Sequence, residues 1–131
     1  MKLHILSDLH LGVHPLPHPV TDADLVILAG DIARPAAAID WARGFDKPVL
    51  YVPGNHEFYG SSLPETVQQL RTLAAGSQVH ILSNDTLIWR GVRFLGSTLW
   101  TDFLAAGSGA AQTAAMAQSV LMPVCFIVLG A

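Results

Sequence analysis

The sequence is poor in cysteine and in charge, and both shortages limit what the protein can be. Cys125 is the single cysteine among 131 residues, so the chain has no disulfide framework of its own, which is typical of a reducing compartment. Charged residues make up 13% of the chain, about half of the roughly 25% usual in soluble domains. The formal net charge is −3, which does not indicate a basic surface for nucleic acid.

Charge is missing altogether from the C-terminal end. The seven basic, ten acidic and six histidine residues all lie within residues 1 to 102. Residues 103 to 131 are rich in alanine and end in an apolar run that Pro123 interrupts and that is shorter than the about 20 residues of a membrane span. We interpret residues 103 to 131 as an uncharged tail that differs in composition from residues 1 to 102, as a frameshift or truncation would produce.

The N-terminus has neither the length of apolar sequence nor the cleavage site of a signal peptide. Lys2 is followed by a short apolar run that His4 interrupts. Together with the single cysteine, this predicts a cytoplasmic protein with no membrane partner.

Apolar runs and helical periodicity predict a layered α/β domain. Residues 2 to 6, 25 to 29 and 49 to 52 are predicted strands, and residues 36 to 43 form a helix before the third of them. Ser62 and Glu65 form a potential capping box for a helix that ends at Gly76. A strand over residues 79 to 82, a hairpin of residues 86 to 89 and 92 to 95 around a two-residue turn, and a loop over residues 96 to 102 complete the prediction.

Each of the three N-terminal strands ends in residues that can bind a metal ion. The ends of the strands carry, in chain order, Asp8 and His10, then Asp31, then Asn55 and His56. If the strands are neighbours, these side chains meet at the carboxyl edge of one sheet, where α/β folds place their sites. Carboxylate, imidazole and amide oxygen together suit Mn²⁺, Fe²⁺ or Zn²⁺, and the absence of a thiolate excludes a structural cysteine-type zinc site.

Structural readings of single residues compete with this interpretation. Asp8 or Asp31 alone is equally well explained by a cap or a turn, whereas a coincidence of all three strand ends is improbable. Glu57 is expected to order the Asn55–His56 turn rather than to take part in chemistry. All three tryptophans are expected to be packing residues, and Trp100 is the one among them that is expected to line a pocket.

Three motifs resemble a known family. Asp8-Leu9-His10, Gly30-Asp31 and Gly54-Asn55-His56-Glu57 are similar, in order and spacing, to the first three motifs of the calcineurin-like metallophosphoesterases. The resemblance covers residues 1 to about 102. It implies an α-β-β-α sandwich in which two sheets pack face to face between helices.

The resemblance also implies roles for these residues. Asp8 and His10 would bind one divalent ion, Asp31 would bridge two, and Asn55 would bind the second. His56 would not be a ligand but would hydrogen-bond the phosphate and stabilise the leaving oxygen. A bridging hydroxide would hydrolyse a phosphomonoester or phosphodiester, such as a nucleotide, at a two-metal centre of Mn, Fe or Zn.

The chain departs from the family in one important respect. Members carry further histidines in a Gly-His and a Gly-His-x-His motif, but this sequence has none after His80. The resemblance therefore implies the N-terminal half of the sandwich, with an exposed apolar sheet face that favours self-association. Two functions stay open: a metal-dependent phosphoesterase impaired by truncation, or an inactive fragment or non-enzymatic binding scaffold of the same fold.

Overall fold

A parallel sheet with helices on one face forms the first part of the fold. The computed structural model describes residues 1–100 and, for its backbone, strand 124–130. The sheet has the order β1, β2, β3, β4, with every neighbouring pair parallel. Helix α1 follows β2 and helix α2 follows β3. The bounds are β1 (Leu3–Leu6), β2 (Leu25–Ala29), α1 (Pro35–Ala42), β3 (Val49–Val52), α2 (Leu63–Ala74) and β4 (Val79–Ile81). These six elements confirm the predicted ones to within a few residues.

The central strands are apolar on both faces because both faces are covered. Val26 and Leu28 of β2 lie in a core cluster with residues of α1 and α2, whereas Leu25 and Ile27 lie in a second cluster on the opposite face. All four are at most 2% exposed. Alternation along a strand thus sends successive side chains into two separate cores.

An antiparallel sheet covers the second face. It consists of β5 (Asp85–Trp89), β6 (Val92–Leu99) and β7 (Val124–Gly130), in that order. Phe94 of β6 is fully buried and lies in the second core cluster with β2 and β3. The described chain is therefore a helix layer and two facing sheets, as expected for part of the predicted sandwich.

The hairpin between β5 and β6 has the predicted two-residue turn. Arg90 and Gly91 have φ values of 49° and 79°, the combination that a type I′ turn requires. The predicted loop over residues 96 to 102 is wrong for residues 96 to 99, which continue β6. A Cβ at Gly96 would overlap the side chain of Leu82, so glycine here allows the two sheets to approach. Residues 101 and 102 lie outside the described part.

Strand β7 lies within residues 103 to 131, the segment that is interpreted as a tail from its lack of charge. It pairs antiparallel with β6 from Leu99 opposite Val124 to Arg93 opposite Gly130. On the outer face of the same sheet, Ile88, Leu95 and Leu99 are 65%, 39% and 47% exposed. Three apolar side chains are thus exposed on this face, and self-association stays a prediction. No helix among the described residues is long and apolar enough to cross a membrane.

Candidate metal centre

The loops after β1 and β2 continue side by side beyond the sheet. The Asp8 N–H donates to the carbonyl oxygen of Gly30 at 3.0 Å, and the His10 N–H donates to that of Asp31, also at 3.0 Å. These bonds prolong the pairing of the two strands, so residues of the two loops are held at fixed positions relative to one another. The convergence predicted at the carboxyl ends of the strands begins here.

Three of the candidate metal ligands have left-handed backbones. The φ values are 54° for Asp8, 46° for His10 and 56° for Asp31. Residues other than glycine rarely adopt this conformation, although aspartate and histidine tolerate it better than most. Such strain persists where the surrounding structure holds it, and it is frequent at functional sites.

The turn after β3 fits closely against Asp31. A Cβ at Gly54 would overlap the Asp31 carboxylate, so only glycine allows this approach. The His56 N–H donates to Asp31 Oδ1 at 3.1 Å. One oxygen of this carboxylate, which is 5% exposed, is thereby oriented by the neighbouring strand end.

Glu57 connects the ends of β2 and β3. Its Oε2 accepts from the N–H groups of Asp31 and Gly54 at 3.2 and 2.8 Å. Its Oε1 accepts from the Ile32 N–H at 2.8 Å and from the Tyr51 hydroxyl at 2.6 Å. Glu57 is only 1% exposed. Glu57 thus holds Gly54, which directly precedes the Asn55–His56 turn that it is predicted to order, and the same carboxylate also holds the loop that carries Asp31.

The structure gathers three titratable side chains into one cluster. Among the described residues, His10, Asp31 and His56 each offer a ligand atom, and these atoms lie within 4.8 Å of one another. The His56 Nε2 is 4.0 Å from Asp31 Oδ2. The His10 and His56 rings meet edge to face with their centroids 4.6 Å apart. Two imidazoles and a buried carboxylate are a suitable donor set for a divalent transition metal, so the residues present fit such an ion.

Asp8 and Asn55 lie on the adjoining turns, outside this cluster of three. Asp8 is exposed and has a left-handed backbone, two residues before His10. Asn55 is 2% exposed, and its Nδ2 donates to the Tyr59 hydroxyl at 2.9 Å. Their assignment as ligands stays a prediction, as does the assignment of His56 to the phosphate rather than to a metal.

Two residues near His56 carry contacts that the sequence pattern does not reveal. The Tyr59 ring lies 4.7 Å from that of His56, centroid to centroid. Arg34, the residue before helix α1, donates from Nη1 to the His56 carbonyl oxygen at 3.2 Å. No motif marks Tyr59. Its position four residues after Asn55 is the one signal in the sequence.

A cleft lies beside Phe58, two residues after His56. It has a volume of about 420 Å³ and is lined in part by Phe58, Asn84 and Trp100. Trp100 is 48% exposed and meets Phe58 at a centroid distance of 5.5 Å, which confirms the expectation that it lines a pocket. The Thr98 hydroxyl, also in the lining, donates to the carbonyl oxygen of Pro53 at 2.5 Å.

Comparison with known proteins bears on the same residues. The family model of the calcineurin-like phosphoesterases matches residues 1–108, a stretch that includes every strand-end residue described above. Searches of curated proteins and of solved structures each returned no match. The matched stretch covers most of the chain, and its strands deliver the motif residues to one edge of one sheet. The chain belongs to the calcineurin-like phosphoesterase family.

Proposed function

We propose that the chain is a metal-dependent phosphoesterase that hydrolyses phosphomonoesters or phosphodiesters. The observation that carries the proposal is the convergence of His10, Asp31 and His56 within 4.8 Å at the ends of three neighbouring strands. Family membership supports the reaction class. The single cysteine supports a reducing, cytoplasmic setting.

Electrostatics explains why such a site needs cations. The chain has a net charge of −3, and the candidate ligands include two carboxylates, those of Asp8 and Asp31. These charges would repel a phosphate ester. Bound divalent ions reverse the local sign, lower the pKa of bound water and neutralise charge on the phosphoryl group.

We propose a role for each candidate ligand according to the strand end that carries it. Asp8 and His10 would hold one ion and Asn55 a second, with Asp31 between them. Asp31 is suited to a central position because its carboxylate is buried and is oriented by the His56 N–H. Mn²⁺, Fe²⁺ and Zn²⁺ all accept these donor types.

His56 is the residue that we propose for contact with the substrate. Its side chain is 40% exposed, so a ring nitrogen can reach a phosphate oxygen that approaches from solvent. A hydrogen bond from this nitrogen would stabilise the negative charge that develops on the leaving oxygen.

The proposal is tested by hydrolysis of bis-p-nitrophenyl phosphate with added Mn²⁺. Asp31→Asn is the informative variant, because asparagine tolerates the left-handed backbone and keeps an oxygen that can accept from the His56 N–H. We expect it to lower activity at least about 100-fold, since loss of a ligand should exceed the 10- to 100-fold effect of an outer-shell change. Asp46→Asn is the matched control, because it removes the same charge from a side chain that is 88% exposed.

Equal activity of the parent chain and Asp31→Asn would contradict the proposed centre. A folded parent chain without Mn²⁺-dependent hydrolysis would instead support the alternative, a non-enzymatic scaffold of the same fold.

A further inference from the structure

We infer that Tyr59 is a positioning residue of the metal centre, which orients Asn55 towards the metal ions and holds the ring of His56. This inference rests on the proposed function and deepens it. The two contacts described for the Tyr59 side chain both go to candidate site residues: its hydroxyl meets Asn55 and its ring meets His56. The side chain is nevertheless 46% exposed, so filling the core does not account for its position.

The hydroxyl contact sets the direction of the Asn55 amide. An asparagine binds a cation through its oxygen and presents hydrogen-bond donors at its nitrogen. With Nδ2 donating to the Tyr59 hydroxyl at 2.9 Å, the oxygen is directed away from Tyr59. Asn55 is 2% exposed, so bulk solvent does not compete with the Tyr59 hydroxyl for the amide nitrogen.

The ring contact restricts His56. The imidazole contacts the His10 ring, 4.6 Å away, and the Tyr59 ring, 4.7 Å away and inclined by 37°. These two ring contacts restrict rotation of the imidazole, whose Nε2 is 4.0 Å from Asp31 Oδ2. Pre-organisation of this kind matters for catalysis because a small displacement of a reacting group costs rate.

The first experiment measures Mn²⁺ affinity by titration calorimetry. Tyr59→Phe keeps the ring and removes the acceptor for Asn55, so we expect the affinity to fall roughly 10-fold, as for other outer-shell partners of metal ligands. Side-chain amide resonances of Asn55 in the metal-free chain should shift in the same variant. Tyr59→Leu should lose the same affinity and, at saturating Mn²⁺, also turn over more slowly than Tyr59→Phe, because the His56 ring is released.

Asn55→Asp provides the control background. Both ends of an aspartate are oxygens, so its orientation no longer matters for binding a cation. Tyr59→Phe should therefore change Mn²⁺ affinity less than about threefold in this background, whereas a purely structural tyrosine would have the same effect in both.

The outcomes separate the two proposals. If the parent chain binds Mn²⁺ and Tyr59→Phe binds it as tightly, or if the effect is the same in both backgrounds, the role of Tyr59 is overturned while the metal centre stands. If the parent chain binds no Mn²⁺, the proposed metal centre fails and the role of Tyr59 fails with it.

Discussion

Glu57 is the residue on which the geometry of the candidate site depends most. Burial of a carboxylate is unfavourable unless hydrogen bonds compensate for it. Three backbone N–H groups and one hydroxyl supply that compensation, and they come from the ends of β2 and β3. The acidic residue of the third motif thus acts on backbone geometry, while its neighbour His56 belongs to the cluster.

We expect Glu57→Gln to destabilise the chain by about 2–4 kcal/mol. Whichever way the glutamine amide turns, its NH₂ group faces at least one backbone N–H, because both carboxylate oxygens accept from the backbone. Urea unfolding measures the loss. Glu65→Gln is the matched control and should change stability little, since glutamine also serves in a capping box. Equal effects of the two substitutions would show that burial of Glu57 is not the cause.

Asp8 allows strain and ligand function to be separated. Its φ of 54° costs energy that glycine would not, and its side chain is exposed. Asp8→Gly should therefore leave the free energy of unfolding unchanged or raise it by up to about 1 kcal/mol. The same variant should bind Mn²⁺ more weakly if Asp8 is a ligand. Titration calorimetry measures the Mn²⁺ affinity, and urea unfolding of the same preparation measures the free energy of unfolding. Unaltered Mn²⁺ affinity would remove Asp8 from the proposed ligand set.

At the scale of elements, α2 shows how local chemistry alone can define a helix. The Ser62 hydroxyl accepts from the Glu65 N–H at 3.3 Å, and Glu65 Oε2 accepts from the Ser62 hydroxyl and N–H at 2.9 and 3.4 Å. The capping box predicted from two residues three positions apart is confirmed. The Ser62 side-chain hydrogen bond, followed by those from the Ser62 backbone and from Ser61, lowers the pKa of the Glu65 carboxyl.

The lowered pKa gives the cap a pH dependence. A depressed pKa in the folded state contributes stability above the ordinary glutamate pKa of about 4.3, and this is lost as the pH falls through the folded-state pKa. Ser62→Ala should cost about 1 kcal/mol near neutral pH, because the hydroxyl no longer caps the helix. The difference between parent and variant should shrink in strongly acidic solution. Thermal unfolding across the pH range measures it, and a difference independent of pH would refute the link to Glu65.

At the scale of the whole molecule, the candidate metal centre connects three strand ends of the parallel sheet. The loops after β1, β2 and β3 meet there, and β2 and β3 also carry both core clusters. A ligand that binds the folded chain but not the unfolded chain stabilises the entire fold by mass action. Metal binding at this edge should therefore be detectable as global stability.

We expect Mn²⁺ at about 100 times its Kd to raise the free energy of unfolding by about 2.7 kcal/mol. Differential scanning calorimetry with and without a chelator measures this effect. Asp31→Asn should show little stabilisation, whereas Asp46→Asn should respond like the parent chain. Stabilisation that persists in Asp31→Asn would place the bound ion elsewhere.

Local sequence patterns determine most of the elements and the position of the candidate ligands at the strand ends. Apolar runs, the capping box and the Arg90-Gly91 turn act over a few residues, so the elements they predict are confirmed. The continuation of β6 through residues 96 to 99 was missed because glycine and serine, at its start, favour loops locally. Pairing with the distant β7, and contact between the two sheets at Gly96, override that preference.

The arrangement within the site was decided by tertiary structure. The sequence alone determined that Asp8, His10, Asp31, Asn55 and His56 stand at strand ends, because a polar residue after an apolar run is a local feature. Only the order of the strands in the sheet decided that His10, Asp31 and His56 form the close cluster and that Glu57 connects the turn after β3 to the end of β2. These contacts depend on the packing of chain segments far apart in sequence, which local periodicity does not encode.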